Sequence, residues 1–134
     1  MEIHANYSRK NGLLAQFNQE LFGSPNYEVP ERLERCLCAV DDGEEIGAVW
    51  FYPEMFGSTA SVYLQRIYVG PSQRRSGLGK TLVEKVIEKS SGAKLIRLAA
   101  PKSAWAFYKK LGFEFERVFV DDGNKFATMR KRIF

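Results

Sequence analysis

Cysteine and histidine are scarce here: two cysteines and one histidine in 134 residues. Cys36 and Cys38 stand two apart, so a strand would point both to one face, where they pack as small hydrophobes. With His4 the only imidazole, a zinc site is excluded and a reducing compartment is implied. No apolar run approaches the ~20 residues that span a bilayer. The start, Met1-Glu2-Ile3-His4-Ala5, lacks the pattern of a signal peptide. The expectation is a soluble cytoplasmic protein with no membrane contact. The formal net charge of +4 suits an anionic ligand, but no nucleic-acid-binding module is recognisable. Internal repeats, linkers and low-complexity segments are absent too, so residues 1–134 read as one domain. A 45% hydrophobic and 13% aromatic composition is enough for a folded core.

The punctuation of the chain divides it into short elements. Ser8 opens a helical pattern carried by Leu13, Leu14, Phe17 and Leu21, weakened by Gly12 and stopped at Gly23, and a loop follows as far as Pro30. Residues 35–40 and 46–52 alternate as strands across the Asp41-Asp42-Gly43 turn, and Pro53 is expected to end the second. A loop from Glu54 to Ser58 leads to a third strand, about Ala60 to Val69. A helix runs to about Ser90, followed by a strand at 95–100. Ser103 is placed to cap a short helix from Ala104 to Leu111, which Gly112 ends. A last hairpin spans Phe113 to Asp121 and Lys125 to Ile133 across Asp122-Gly123-Asn124. The fold class is a mixed α/β sheet flanked by helices, antiparallel at both ends and parallel where a helix separates two strands.

One stretch carries chemistry. Arg74-Arg75-Ser76-Gly77-Leu78-Gly79-Lys80-Thr81 follows the apolar Ile67-Tyr68-Val69 and opens an amphipathic helix. A strand, a basic glycine-containing turn and a helix start together seat a phosphate on unpaired backbone N–H groups at the positive end of the helix dipole. A nucleotide-binding P-loop does not fit. Its pattern needs glycine where this chain has Arg74, and no downstream strand ends in the acid that would hold magnesium.

Two motifs in order resemble the GNAT family of N-acetyltransferases, across most of the chain. Arg74 to Gly79 matches the family's signature of Arg or Gln, two residues, Gly, one residue, Gly. Ala104-Trp105-Ala106-Phe107-Tyr108-Lys109-Lys110-Leu111-Gly112-Phe113 is similar to its tyrosine helix ending in Gly-Phe. The resemblance implies an acyl-CoA N-acyltransferase fold, in which two central parallel strands splay and hold the thioester. It implies acetyl-CoA as co-substrate with no metal. The backbone of Arg75, Ser76, Gly77, Leu78 and Gly79 would take the pyrophosphate, and Arg74, Arg75 and Lys80 would add charge. The main chain of Ile67, Tyr68 and Val69 would pair with the pantetheine arm. Tyr108 would give a proton or hydrogen bond to the departing thiolate.

The chain departs from the family at two points. Pro101 stands where many members have a cofactor-holding Asn. Tyr63, with Gln65 next on the same face, occupies the strand position of the frequent carboxylate base. The amine proton would then leave through water or to Glu54 or Glu28. The acceptor is expected to be a primary amine of a small molecule, amino acid or peptide. Phe22, Tyr27, Tyr52, Glu54, Met55 and Phe56 would line its side of the site. A homodimer through the final hairpin and a coenzyme A-binding domain without turnover both fit the same residues.

Overall fold

Two Asp-Gly pairs shape the sheet. Asp42-Gly43 has φ of 51° and 78°, and Asp122-Gly123 has 50° and 79°. Two consecutive positive φ values make the tight turn whose twist matches its flanking strands. A computed structural model describes residues 1–4 and 34–133. The helix expected from Ser8, and Phe22, Tyr27 and Glu28 with it, lie outside the described residues.

Seven strands appear among the described residues: β1 (Glu2–His4), β2 (Arg35–Asp41), β3 (Glu44–Phe56), β4 (Thr59–Val69), β5 (Leu95–Pro101), β6 (Glu114–Asp121) and β7 (Asn124–Arg132). Their order in the sheet is β1-β2-β3-β4-β5-β7-β6, and only β4 and β5 run parallel. The long helix α1 (Leu78–Glu88) connects these two, and the short helix α2 (Trp105–Lys110) connects β5 to β6.

Spacing decides which face of α1 is buried. Leu78, Leu82, Val83 and Val86 recur at helical intervals and join the core cluster that includes Val49, Ile96, Leu98 and Met129. Cys36, Cys38, Ala48, Trp50 and Tyr68 cluster on the opposite face of the sheet. Both cysteines are free and buried. Burial first, then Glu45, pushes the Cys38 thiol up to about 12, which leaves it unreactive.

Two expectations fail. Pro53 does not end its strand, because β3 continues to Phe56 and Pro53 stands opposite Val62. Gly70 N–H donates to Ile46 O, so even-numbered residues of β3 turn their main chain toward β4 and odd-numbered ones away. The nitrogen of Pro53 therefore faces the β2 side, beyond the last described pair, Arg35–Phe51, and breaks no ladder bond among the described residues. The expected loop at Glu54 to Ser58 shrinks to a turn at Gly57, whose φ is +62°. Nor does Ser103 cap the tyrosine helix. It lies in a 3-10 turn, Lys102–Ala104, and α2 starts without a side-chain cap.

The central parallel strands part. They pair only at Ser61–Leu95, Val62–Ile96 and Tyr63–Arg97, though β4 runs on to Val69 and β5 to Pro101. Just past the last pair β4 carries a bulge: Trp50 stands opposite Arg66 and Phe51 opposite Leu64, leaving Gln65 extra. A bulge bends its strand and sharpens the twist, which carries β4 away from β5. It also switches the alternation, so Val62 and Leu64 face the α1 core before it, and Ile67 and Val69 after it.

A clamp holds the point of divergence. Arg97, in the last paired position, bonds Glu54 on β3 at 2.7 Å and Glu116 on β6 through two contacts of 3.0 Å each. Its guanidinium also lies 3.9 Å over the Phe56 ring. One side chain thus ties both halves of the sheet together where they begin to separate.

Replacing fully buried Leu82 by alanine should cost about 2–5 kcal/mol in urea unfolding, from lost transfer energy and the cavity left behind. Arg97→Met leaves two carboxylates uncompensated at a site 15% exposed, and should cost about 2–3 kcal/mol. The Arg97 bonds hold the Glu116 carboxyl below its ordinary value. That stabilisation is complete above about pH 4.3 and is lost as pH falls from there through the depressed value. Urea midpoints at pH 7 and pH 3 should show this acid-side loss in the native chain and not in Arg97→Met.

Candidate active site

The parted strands are built to be filled. Alternation along β4 sends the main-chain groups of Tyr68 to β3, where it pairs with Ala48, and those of Ile67 and Val69 to the open side. The side chain of Tyr68 belongs to the Trp50 cluster on the other face. Arg74 folds back over the end of the strand. Its Nε donates to Val69 O at 3.0 Å, and its guanidinium lies 5.4 Å from the Tyr68 ring centre.

The turn after β4 exposes backbone donors. Gly70 is held to β3 by its bond to Ile46 O at 2.9 Å, and a 3-10 turn, Pro71–Gln73, follows. Arg75 and Gly77 both take positive φ, 65° and 88°. Gly77 adopts its value without the steric cost that Arg75 bears, and it leads straight into α1. The first helical bond is Thr81 N–H to Gly77 O at 3.1 Å, so the N–H groups of Leu78, Gly79 and Lys80 have no acceptor within the helix. No acidic residue lies in the first turn and no side chain caps it. The positive end of the dipole is left uncompensated, with Arg75 and Lys80 exposed beside it. This donor set fits a pyrophosphate.

Two glycines make the packing possible. A Cβ on Gly47 would come within 3.0 Å of Leu78 Cδ2, so its absence lets the start of α1 settle on β3. A Cβ on Gly79 would meet the Phe107 ring at 3.1 Å. The phosphate turn and the tyrosine helix therefore touch through Gly79 and Phe107. Trp105 Nε1 donates to Ala100 O at 2.9 Å, which fixes α2 to the end of β5.

Tyr108 is buried, with edge-on contacts to Phe107 at 5.0 Å and Phe113 at 5.4 Å. Burial pushes its hydroxyl above the ordinary tyrosine range, so the phenol keeps its proton at neutral pH. Its side chain has no hydrogen-bond partner among the described residues.

The proposed routes for an amine proton look different in three dimensions. Tyr63 packs on Tyr52 with ring centres 5.4 Å apart. Burial, then Tyr52 and Glu54, push its hydroxyl up, with Arg97 opposing, so it makes no base at neutral pH. Gln65 is the bulge residue, and its amide oxygen is buried without a partner. Glu54 is held by Arg97 and accepts a hydrogen bond from Ser61 Oγ at 3.3 Å. Pro101 ends β5 opposite Phe126. No group of three or more metal-ligating side chains occurs among the described residues. The sequence reading missed the Arg97 clamp. Its one signal was an arginine inside an otherwise apolar strand, a residue that needs partners across the sheet.

Comparison with known proteins points the same way. A family model described as an acetyltransferase (GNAT) domain matches residues 32–115, more than half of the chain. A comparison with curated protein sequences finds no match. Among solved structures, an aminoglycoside 6'-N-acetyltransferase complexed with coenzyme A superposes with a TM-score of 0.80 at 18% identity, covering 100% of this chain and 98% of that one. NAA60 of Arabidopsis thaliana, in complex with acetyl-CoA, gives 0.77 at 20% identity over 98% and 97%. The NatC complex bound to Gag peptide and coenzyme A gives 0.69 at 16%, over 98% and 99%. At these identities the likeness is one of fold. The family model, with its glycine turn and tyrosine helix packed against the parted strands, places this chain in the GNAT family of acetyltransferases.

Proposed function

We propose that the chain is an acetyl-CoA-dependent N-acetyltransferase acting on a primary amine by direct attack in a ternary complex. The observation that carries the reading is the uncompensated helix start of α1 beside strands that part and leave main-chain groups free. The N–H groups of Gly77 to Lys80 take the pyrophosphate, and Arg75 and Lys80 add charge. Ile67 and the Val69 N–H pair with the pantetheine amides as a further strand would, the Val69 carbonyl being held by Arg74. Of the three β4 residues expected in this role, Tyr68 is already turned to β3.

Tyr108 serves the leaving group. An ordinary thiol has a pKa near 8.5, at least about 1.5 units below a tyrosine whose hydroxyl is pushed above 10. Full transfer of the phenolic proton to the thiolate is uphill by about 2 kcal/mol or more, so Tyr108 donates a hydrogen bond as charge builds on sulfur. With Glu54 tied to Arg97 and Tyr63 protonated, the amine loses its proton to water. The acceptor side carries Tyr52, Tyr63 and Phe56, a surface for a small amine or a peptide amine. Two buried free thiols suit the reducing cytoplasm. A second copy, if one associates, meets the outer strand β6, where Phe115, Val118 and Val120 are exposed.

Thiol release from acetyl-CoA with a panel of amines tests the reading. Release should depend on the amine and rise with pH through the acceptor's own pKa. Saturable binding of coenzyme A without release for any amine would instead indicate a binding domain of the same fold. Tyr108→Phe should lower kcat by about 10²-fold with little change in KM for acetyl-CoA. Because the Tyr108 hydroxyl titrates above the ordinary range, it should cause no alkaline fall in kcat below about pH 10. Full activity in Tyr108→Phe across that range would remove the role assigned to the phenol.

A further inference from the structure

Most cations deep in this molecule are matched. Arg66 pairs with Glu34 at 2.7 Å, and Arg97 with two glutamates. At the end of the sheet away from the phosphate turn, three exposed cations and the half-buried Lys131 stand together. Lys94, Arg130, Lys131 and Arg132 line a cleft of about 740 Å³ with Phe56, and the single acid on its wall is Glu114. Glu114 stands opposite Arg130 in the ladder, yet forms no ion pair with it. None of the four cations has a salt bridge among the described residues, although Arg130 lies within electrostatic reach of Glu116.

These side chains are mounted on fixed backbone. Lys94 N–H donates to Ala60 O at 2.9 Å and its carbonyl accepts from Ile133 N–H at 3.0 Å, just ahead of β5. The arginines and Lys131 end β7, paired to β5 in register. Gly112, with φ +93°, leaves the wall open where a Cβ would crowd Lys131, whose Nζ lies 3.6 Å from that position. Lys131, opposite Ile96, leaves β7 on the α1 face and Arg130 and Arg132 on the other, so the cleft wraps the end of β7 with cations from both faces, and a bound anion there relieves their repulsion.

We infer that this cleft is a second anion site, separate from the phosphate turn, that takes a small ligand bearing two or more phosphate or carboxylate groups. The volume suits a small molecule rather than a polymer. Two arginines offer forked donors to such oxygens, and the two lysines add point charges. Thr59 at the cleft and Val69 at the turn are the two ends of β4, which at ~3.3 Å per residue puts the sites roughly 30 Å apart. One ligand of this size cannot reach both.

Calorimetric titration with inorganic tripolyphosphate and with citrate, in the presence of saturating coenzyme A, tests the inference. One-to-one binding of either anion, weakened as salt is raised, is expected. The double variant Lys94→Ala/Arg132→Ala should bind at least tenfold more weakly, with far-UV circular dichroism and acetyl-CoA KM unchanged. Arg74→Ala/Arg75→Ala, in the turn, should keep the anion affinity, which separates the two sites whether or not coenzyme A occupies the turn. Absence of binding by both anions would overturn the inference. So would affinity within twofold of native in the first variant, or an equal loss in the second.

Discussion

Two parallel strands that begin paired and then separate leave main-chain donors and acceptors on their inner edges without partners. Such groups are costly to bury unmet, so the gap must hold water or an amide-bearing ligand. In this chain one feature drives the separation and another limits it. The bulge at Gln65 bends β4, and the Arg97 clamp prevents the parting from running back through the last pair, Tyr63–Arg97. The rest of the site takes its position from that geometry. Helix α1 leaves the far end of β4 and presents its start beside the gap. Helix α2 leaves the far end of β5 and brings Tyr108 to the same region. Gly79 and Phe107 close the contact between them.

Electrostatics then selects what the gap takes. The start of α1 has unpaired N–H groups, no acidic neighbour in its first turn, and arginine and lysine beside it. Each feature favours an anion, and together they suit a pyrophosphate better than a single carboxylate. The acceptor side differs. Among the described residues Glu54 and Glu116 are committed to Arg97, which leaves tyrosines and a phenylalanine beside them rather than a free carboxylate.

How much of this was readable in the chain depends on the range of the interactions. Asp-Gly turns and the glycine signature act over a few residues, and the hairpins, α1 and the glycine turn that opens it were legible for that reason. The tyrosine helix followed from Gly-Phe at its end. Pro53 misled because its acceptability depends on where β2 stops, a fact held by a strand 18 residues away. The same limit hid the bulge, which the extra residue Gln65, between the Phe51–Leu64 and Trp50–Arg66 pairs, creates only once β3 and β4 are paired. Arg97 joins partners 43 and 19 residues distant, and no local pattern announces such a clamp. Ser103 had the right residue type for a cap, but a 3-10 turn took its place.

The central claim is that the parted strands and the α1 start together hold acetyl-CoA. A crystal structure of the chain grown with coenzyme A is the direct measurement. The account predicts pyrophosphate oxygens within hydrogen-bond distance of the Gly77 to Lys80 amides, with the pantetheine between β4 and β5 paired to Ile67 and Val69. Coenzyme A bound elsewhere, or β4 and β5 zipped together past Tyr63 and Arg97, would contradict it.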